Sequence, residues 1–130
     1  MTGVQTCALP IYIIGEGAFH NMGYINYNMN NLPKGIKEIG NYAFYGCTFA
    51  TSMLNTKNVT NIGEGAFWGC STITTVTITE TVTTIGSNAF NNCNALTSVT
   101  CPCTEANKPA GWVADWYGNV SADKIVWAQA

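Results

Sequence analysis

The residues of this 130-residue chain best suited to chemistry are its cysteines: Cys47, Cys70 and Cys93 recur every 23 residues, and Cys101 and Cys103 flank Pro102. A column of thiols could hold a metal or pass oxidising equivalents. Structural zinc needs four ligands converging tetrahedrally, and thiols repeated on parallel coils do not converge. Buried free cysteine is otherwise a small apolar filler, and Met22 standing where a further cysteine is due favours that role. In an extended segment Cys101 and Cys103 point to opposite faces, and no second closely spaced pair completes a site. Cys101 aligns with Ile78 of the preceding repeat and is expected in the core. No metal and no cofactor is expected.

The remaining candidates are dispersed. His20 is the only histidine, so a nucleophile system has one possible base and no implied partner. It shares its place in the repeat with Tyr45, Trp68 and Asn91, which reads as an exposed turn. Glu16, Glu38, Glu64 and Glu80 fall one per repeat, whereas glycoside hydrolysis needs two carboxylates flanking one bond. Glu16 and Glu64 share a position two repeats apart, about 10 Å from the strand spacing, and read as a solvated rim. Asn58-Val59-Thr60 and Asn119-Val120-Ser121 match the glycosylation pattern, a short pattern given little weight. Trp112, Trp116, Tyr117 and Trp127 could stack on a sugar, but an open apolar coil must be covered by something, and a cap is the expected use. No catalytic set emerges, and the reading is non-enzymatic.

What positions these residues is a repeat. Ile-Gly-x-x-Ala-Phe occurs at Ile14–Phe19, Ile39–Phe44, Ile62–Phe67 and Ile85–Phe90, with starts separated by 25, 23 and 23 residues. A sustained period in the twenties marks a solenoid in which one repeat is one coil. In the cleanest copy, Ile73, Val76 and Ile78 are spaced as a leucine-rich-repeat strand, with threonine between them. Glu80 and Thr81 turn the chain, and Val82–Ile85 makes a second extended piece. Gly86 is expected to permit a sharp bend, and Ser87–Asn92 to form one helical turn capped by Ser87. Ile and Phe should form interior ladders, with Ala giving clearance to the neighbouring backbone. The earlier coils are ambiguous: in Tyr24–Met29 either Tyr24, Tyr27 and Met29 or Ile25, Tyr27 and Met29 face inward, and Phe49–Asn55 is equally open.

Residues 1–11 stand apart, matching residue for residue the translation of a sequencing-library adapter read from a GTG start. They lack the basic flank and small-residue cleavage site of a secretory signal. The expected division is therefore 1–11 non-native, 12–101 about four coils and 102–130 a C-terminal cap, with the native start upstream of Tyr12. Charged residues make up 9% of the chain, with a net charge of −2. That excludes the basic footprint of a nucleic-acid binder and argues against binding an anionic membrane. No apolar run approaches the roughly 20 residues of a membrane span.

Leu96-Thr97-Ser98-Val99-Thr100, with Val82-Thr83-Thr84-Ile85-Gly86-Ser87-Asn88-Ala89-Phe90-Asn91-Asn92-Cys93, resembles the BspA-like leucine-rich repeats of bacterial surface proteins. The resemblance spans about Ile14 to Cys101, and the tail from Lys108 to Trp127 is similar to the Trp-rich segment closing some arrays of that family. It implies a β-rich leucine-rich-repeat solenoid, with parallel strands on one face and short extended segments and single helical turns on the other. It also implies a cell-surface or secreted protein binding a protein on a host or neighbouring cell. The outward positions of the clean strands, Thr75, Thr77, Ser98 and Thr100, are the expected ligand-binding residues. Two other roles compete: a passive spacer for another domain, and a solenoid polysaccharide-active enzyme, for which no clustered acids or bases are present.

Overall fold

Each Ile-Gly step closes a strand of two to four residues, and these strands stack in register along the molecule. The computed structural model describes residues 12–129; the adapter-like segment lies outside them. Strands β1 (Tyr12–Ile14), β3 (Ile36–Ile39), β6 (Asn61–Ile62), β8 (Thr84–Ile85) and β10 (Gly111–Trp112) form one parallel sheet. Strands β5 (Met53–Asn55), β7 (Thr75–Thr77), β9 (Ser98–Thr100) and β11 (Ile125–Val126) form a second, also parallel. Two further strands, β2 (Tyr24–Ile25) and β4 (Thr48–Phe49), pair with each other. The chain is thus a β-solenoid of about five turns. The fifth turn carries no hexad, but β10 and β11 continue both sheets.

The interior is built from ladders. Ile14, Ile39, Ile62 and Ile85 are successive register partners, and Trp112 takes the next place. Leu54, Val76, Val99 and Ile125 do the same in the second sheet. Phe19, Phe44, Phe67 and Phe90 stack with ring centroids 5.2, 5.4 and 5.6 Å apart and nearly parallel planes. Trp116 ends that stack edge-on, 6.1 Å from Phe90 at 82°. Trp112 lies against Trp116 and donates its indole N–H to the Val82 carbonyl at 3.1 Å. Trp112 and Trp116 therefore close the last coil, with the polar atom of Trp112 satisfied.

The segment expected to be a helical turn is instead a run of tight turns. Along Gly65–Cys70 the amides alternate: Ala66, Trp68 and Cys70 donate within their coil to Gly63, Gly65 and Phe67, while Gly65, Phe67 and Gly69 donate to Ser87, Ala89 and Asn91 of the next. A helix would turn every amide inward along its own axis. Positive φ prevents that, at Gly17 (63°), Tyr42 (56°), Gly65 (58°) and Asn88 (57°), and again at Asn21, Gly46, Gly69 and Asn92. Ser87 caps nothing; its hydroxyl donates to Asp115 of the next coil at 2.7 Å. Short 3₁₀ helices occur only outside these turns, at Glu105–Asn107 and Ala122–Lys124, among the described residues.

The hexad glycine also has a different reason from the one expected. Gly40, Gly63 and Gly86 have ordinary φ, but a Cβ on Gly63 would lie 2.5 Å from the Asn41 amide nitrogen. Glycine is required by the approach of the neighbouring coil, and the bend itself is made at the positive-φ positions.

The ambiguous early coils resolve. Ile25 and Met29 face inward, while Tyr24 and Tyr27 are exposed. Both expected registers put Tyr27 inward. Its amide donates to Ile25 at 3.0 Å, a three-residue turn that breaks the strand alternation. Phe49 and Leu54 are both buried, but on separate strands.

Candidate binding surface

The sheet strands alternate sides with a period of two, so burying Leu54, Val76 and Val99 turns their neighbours outward. Register places Met53, Thr75 and Ser98 in one row and Asn55, Thr77, Thr100 and Val126 in the other. The four expected ligand-binding residues therefore lie side by side on one flat face, with Thr77 and Thr100 exposed and Thr75 and Ser98 half-buried. Met53, Asn55 and Val126 extend the same rows and are absent from the sequence-based expectation. The signal that points to them is the alignment of Leu54 with Val76, obscured by the open register of Phe49–Asn55.

Most threonines elsewhere hold the coils together. Thr60 Oγ1 donates to the Lys37 carbonyl at 3.0 Å, Thr83 to Thr60 at 3.2 Å, Thr74 to Ser52 at 3.2 Å and Thr97 to Thr74 at 3.0 Å. The buried Thr56 donates to the Thr77 carbonyl at 3.0 Å and accepts from the Thr79 amide at 2.9 Å. Each of these carbonyls also accepts a backbone amide of the adjacent coil, so the hydroxyl fills its second lone pair. The hydroxyls of Thr75, Thr77, Ser98 and Thr100 have no such partner among the described residues, and remain available to a ligand.

The thiol column is a further set of coil-to-coil bonds. Cys47, Cys70 and Cys93 donate to the carbonyls of Phe19, Phe44 and Phe67 at 2.9, 3.1 and 3.0 Å. All five cysteines among the described residues are free. Cys101 is buried, while Cys103 is half-buried against the core. Burial pushes Cys93 up to about 12, with backbone hydrogen bonds from the preceding coil opposing the rise, and pushes Cys101 up to about 12 with help from Cys103. Such thiols are protonated and unreactive at neutral pH. Among the described residues, no three of His, Cys, Asp and Glu group as metal ligands.

Because the folded pKa of Cys93 exceeds its ordinary value of 9.0, the thiol's contribution is complete below pH 9 and is lost as pH rises through about 12. Within that window it should cost about 1.4 kcal/mol of stability per pH unit. Denaturant unfolding at pH 8 and pH 10 should show a shallower alkaline loss in Cys93→Ala than in the parent chain. Equal losses would contradict the assignment.

The other candidates do not converge. Glu38 is exposed on β3, Glu80 lies in the turn after Ile78, and Glu16 and Glu64 stand on the hexad turns. Asn119 donates its side-chain amide to Asn92 at 2.7 Å, and Asn58 sits at φ 71° beside the buried Val59. His20 stacks on Tyr45, with centroids 4.7 Å apart. No helix among the described residues is long and apolar enough to cross a membrane.

Stacked parallel coils with a hydroxyl-bearing outer sheet define a leucine-rich-repeat solenoid. The chain belongs to the BspA-type leucine-rich-repeat family, whose model matches residues 4–108 in six copies. That family suggests a protein-interaction repeat module and is generally non-enzymatic. Comparison with curated proteins returns no match, and comparison with solved structures returns none.

Proposed function

We propose that this array is a non-enzymatic binding module of a bacterial cell-surface or secreted protein, and that it holds a protein on a host or neighbouring cell through the outer face of β5, β7, β9 and β11. The observation carrying this reading is the contrast among hydroxyls: those of Thr75, Thr77, Ser98 and Thr100 are free, while those in the turns are committed to neighbouring coils. Met53 and Val126, 48% and 47% exposed, add apolar contact at opposite ends of the face. A flat row repeated per coil suits weak contacts summed over many copies.

Beads coated with the chain should adhere to epithelial or bacterial cells and lose adhesion when the cell surface is treated with protease. The double substitution Thr75→Lys and Thr77→Lys should reduce adhesion at least about tenfold, by placing bulky charges on the face. Both side chains point outward, so the melting temperature should move little. Adhesion unchanged in the variant would remove the sheet face from the proposal. Beads that adhere to no cell would favour a passive spacer.

A further inference from the structure

The hexad turns carry a second surface, on which aromatic rings and carboxylates meet. His20, Tyr45 and Trp68 occupy one position in successive coils, with centroids 4.7 and 5.8 Å apart. Tyr42 stands edge-on to Tyr45 at 6.1 Å and 64°. Its ring lies over Gly65, where a Cβ would come within 2.5 Å of the ring carbons. The Glu64 carboxylate beside Tyr42 raises its pKa, with a smaller contribution from Glu16. Glu64 also borders a groove of about 480 Å³ whose polar lining includes Glu38, Asn41, Asn61, Thr84 and Ser87. None of the five lysines, at 34, 37, 57, 108 and 124, falls within a hexad.

We propose that this ridge, formed by His20, Tyr42, Tyr45 and Trp68 with Glu16 and Glu64, docks an extended segment of a partner protein bearing a basic side chain at every third residue. His20 and Tyr45 stack at 12° while Tyr45 and Trp68 are tilted at 38°, so these rings face one another along the ridge and present mainly their rims between coils. Rims suit the alkyl stem of lysine or arginine, whose cationic head then reaches a carboxylate. The spacing selects the conformation. Glu16 and Glu64 are two coils apart, about 10 Å at the strand repeat. A polyproline II segment advances about 3.1 Å per residue with three residues per turn. Every third side chain therefore returns to the same side about 9 Å further on. Aromatic-lined surfaces also receive such preformed segments at low entropic cost. The ridge shares with the sheet-face reading only the premise that the array binds protein.

The test uses the full chain and two labelled peptides, three Arg-Pro-Pro repeats and three Glu-Pro-Pro repeats, followed by fluorescence anisotropy at physiological salt. The basic peptide should bind saturably and the acidic one should not. The double substitution Glu16→Gln and Glu64→Gln should weaken binding about fivefold, in line with two exposed ion pairs. His20→Ser should weaken it with no change in acidic charge. Glu105→Gln with Asp123→Asn removes the same charge elsewhere and should have no effect. All the substituted acids are exposed, so folding is not at stake. No binding of the basic peptide, or equal weakening by the two charge-matched doubles, would overturn the proposal. Bead adhesion reports on the sheet face and peptide anisotropy on the ridge, so either reading can fail alone.

Discussion

Phe67→Ala should destabilise the array by about 3–5 kcal/mol, the cost of a large cavity in a packed interior. Phe67 is fully buried, and its ring lies between Phe44 and Phe90 at 5.4 and 5.6 Å. Removing it breaks two stacking contacts and opens a void that neither neighbour can fill, because each is held by its own coil. The sequence supplies an internal control. Phe19 occupies the same position at one end of the ladder, but is 38% exposed and has one stacking partner, so Phe19→Ala should cost less than half as much. Urea unfolding of both variants checks the difference. Equal losses would mean that the ladder is not the main interior contact.

That ladder is legible in the amino-acid sequence, for a physical reason. A repeat period forces like residues to stack, so the inward positions of Ile, Phe and Cys follow once the period is known. The inward set Ile73, Val76 and Ile78 follows as well, because these apolar residues keep the first, fourth and sixth positions with threonine between them. What stays hidden depends on backbone torsion and on close approach, which residue type reports weakly. Tyr42 adopts φ 56° where the other coils have glycine or asparagine, so nothing at that position announces a turn in place of a helix. The fifth coil is hidden because Trp112 replaces the hexad isoleucine, and its tryptophans read as a cap. They are both: Trp112 joins the sheet while Trp116 ends the ring stack. Of the surfaces, the threonine face is legible from alternation. The aromatic ridge is not, since His, Tyr and Trp in one position look like tolerance unless their rings are known to stack.

Gly86→Ala should be as damaging as the loss of a core ring, although it adds only one methyl group. An alanine Cβ there would lie 2.4 Å from the Glu64 amide nitrogen and 2.8 Å from the Gly63 carbonyl carbon. Backbone cannot swing aside as a side chain can, so the two coils must separate. Separation weakens the Gly86 amide bond to Ile62 at 2.8 Å and then its equivalents on either side. A loss of about 3 kcal/mol or more is expected, at the upper end for overpacking. Gly15→Ala is the matched comparison, since among the described residues nothing lies within 4 Å of the Cβ it would add. That change should stay within about 0.5 kcal/mol. Thermal melts of the pair separate crowding from a general intolerance of the hexad. If Gly15→Ala proved as costly as Gly86→Ala, torsion rather than coil approach would be the constraint.

The alternation of amides in the hexad turns has a mechanical consequence. Every second N–H crosses to the next coil, so these bonds lie along the long axis of the array. Tension between the two ends would load them head-on, one coil boundary at a time, instead of shearing a whole sheet at once. Under such a pull the array yields stepwise, and each 23-residue coil releases about 80 Å of extended chain. An array built this way lengthens in increments, and its remaining coils keep their sheet faces intact.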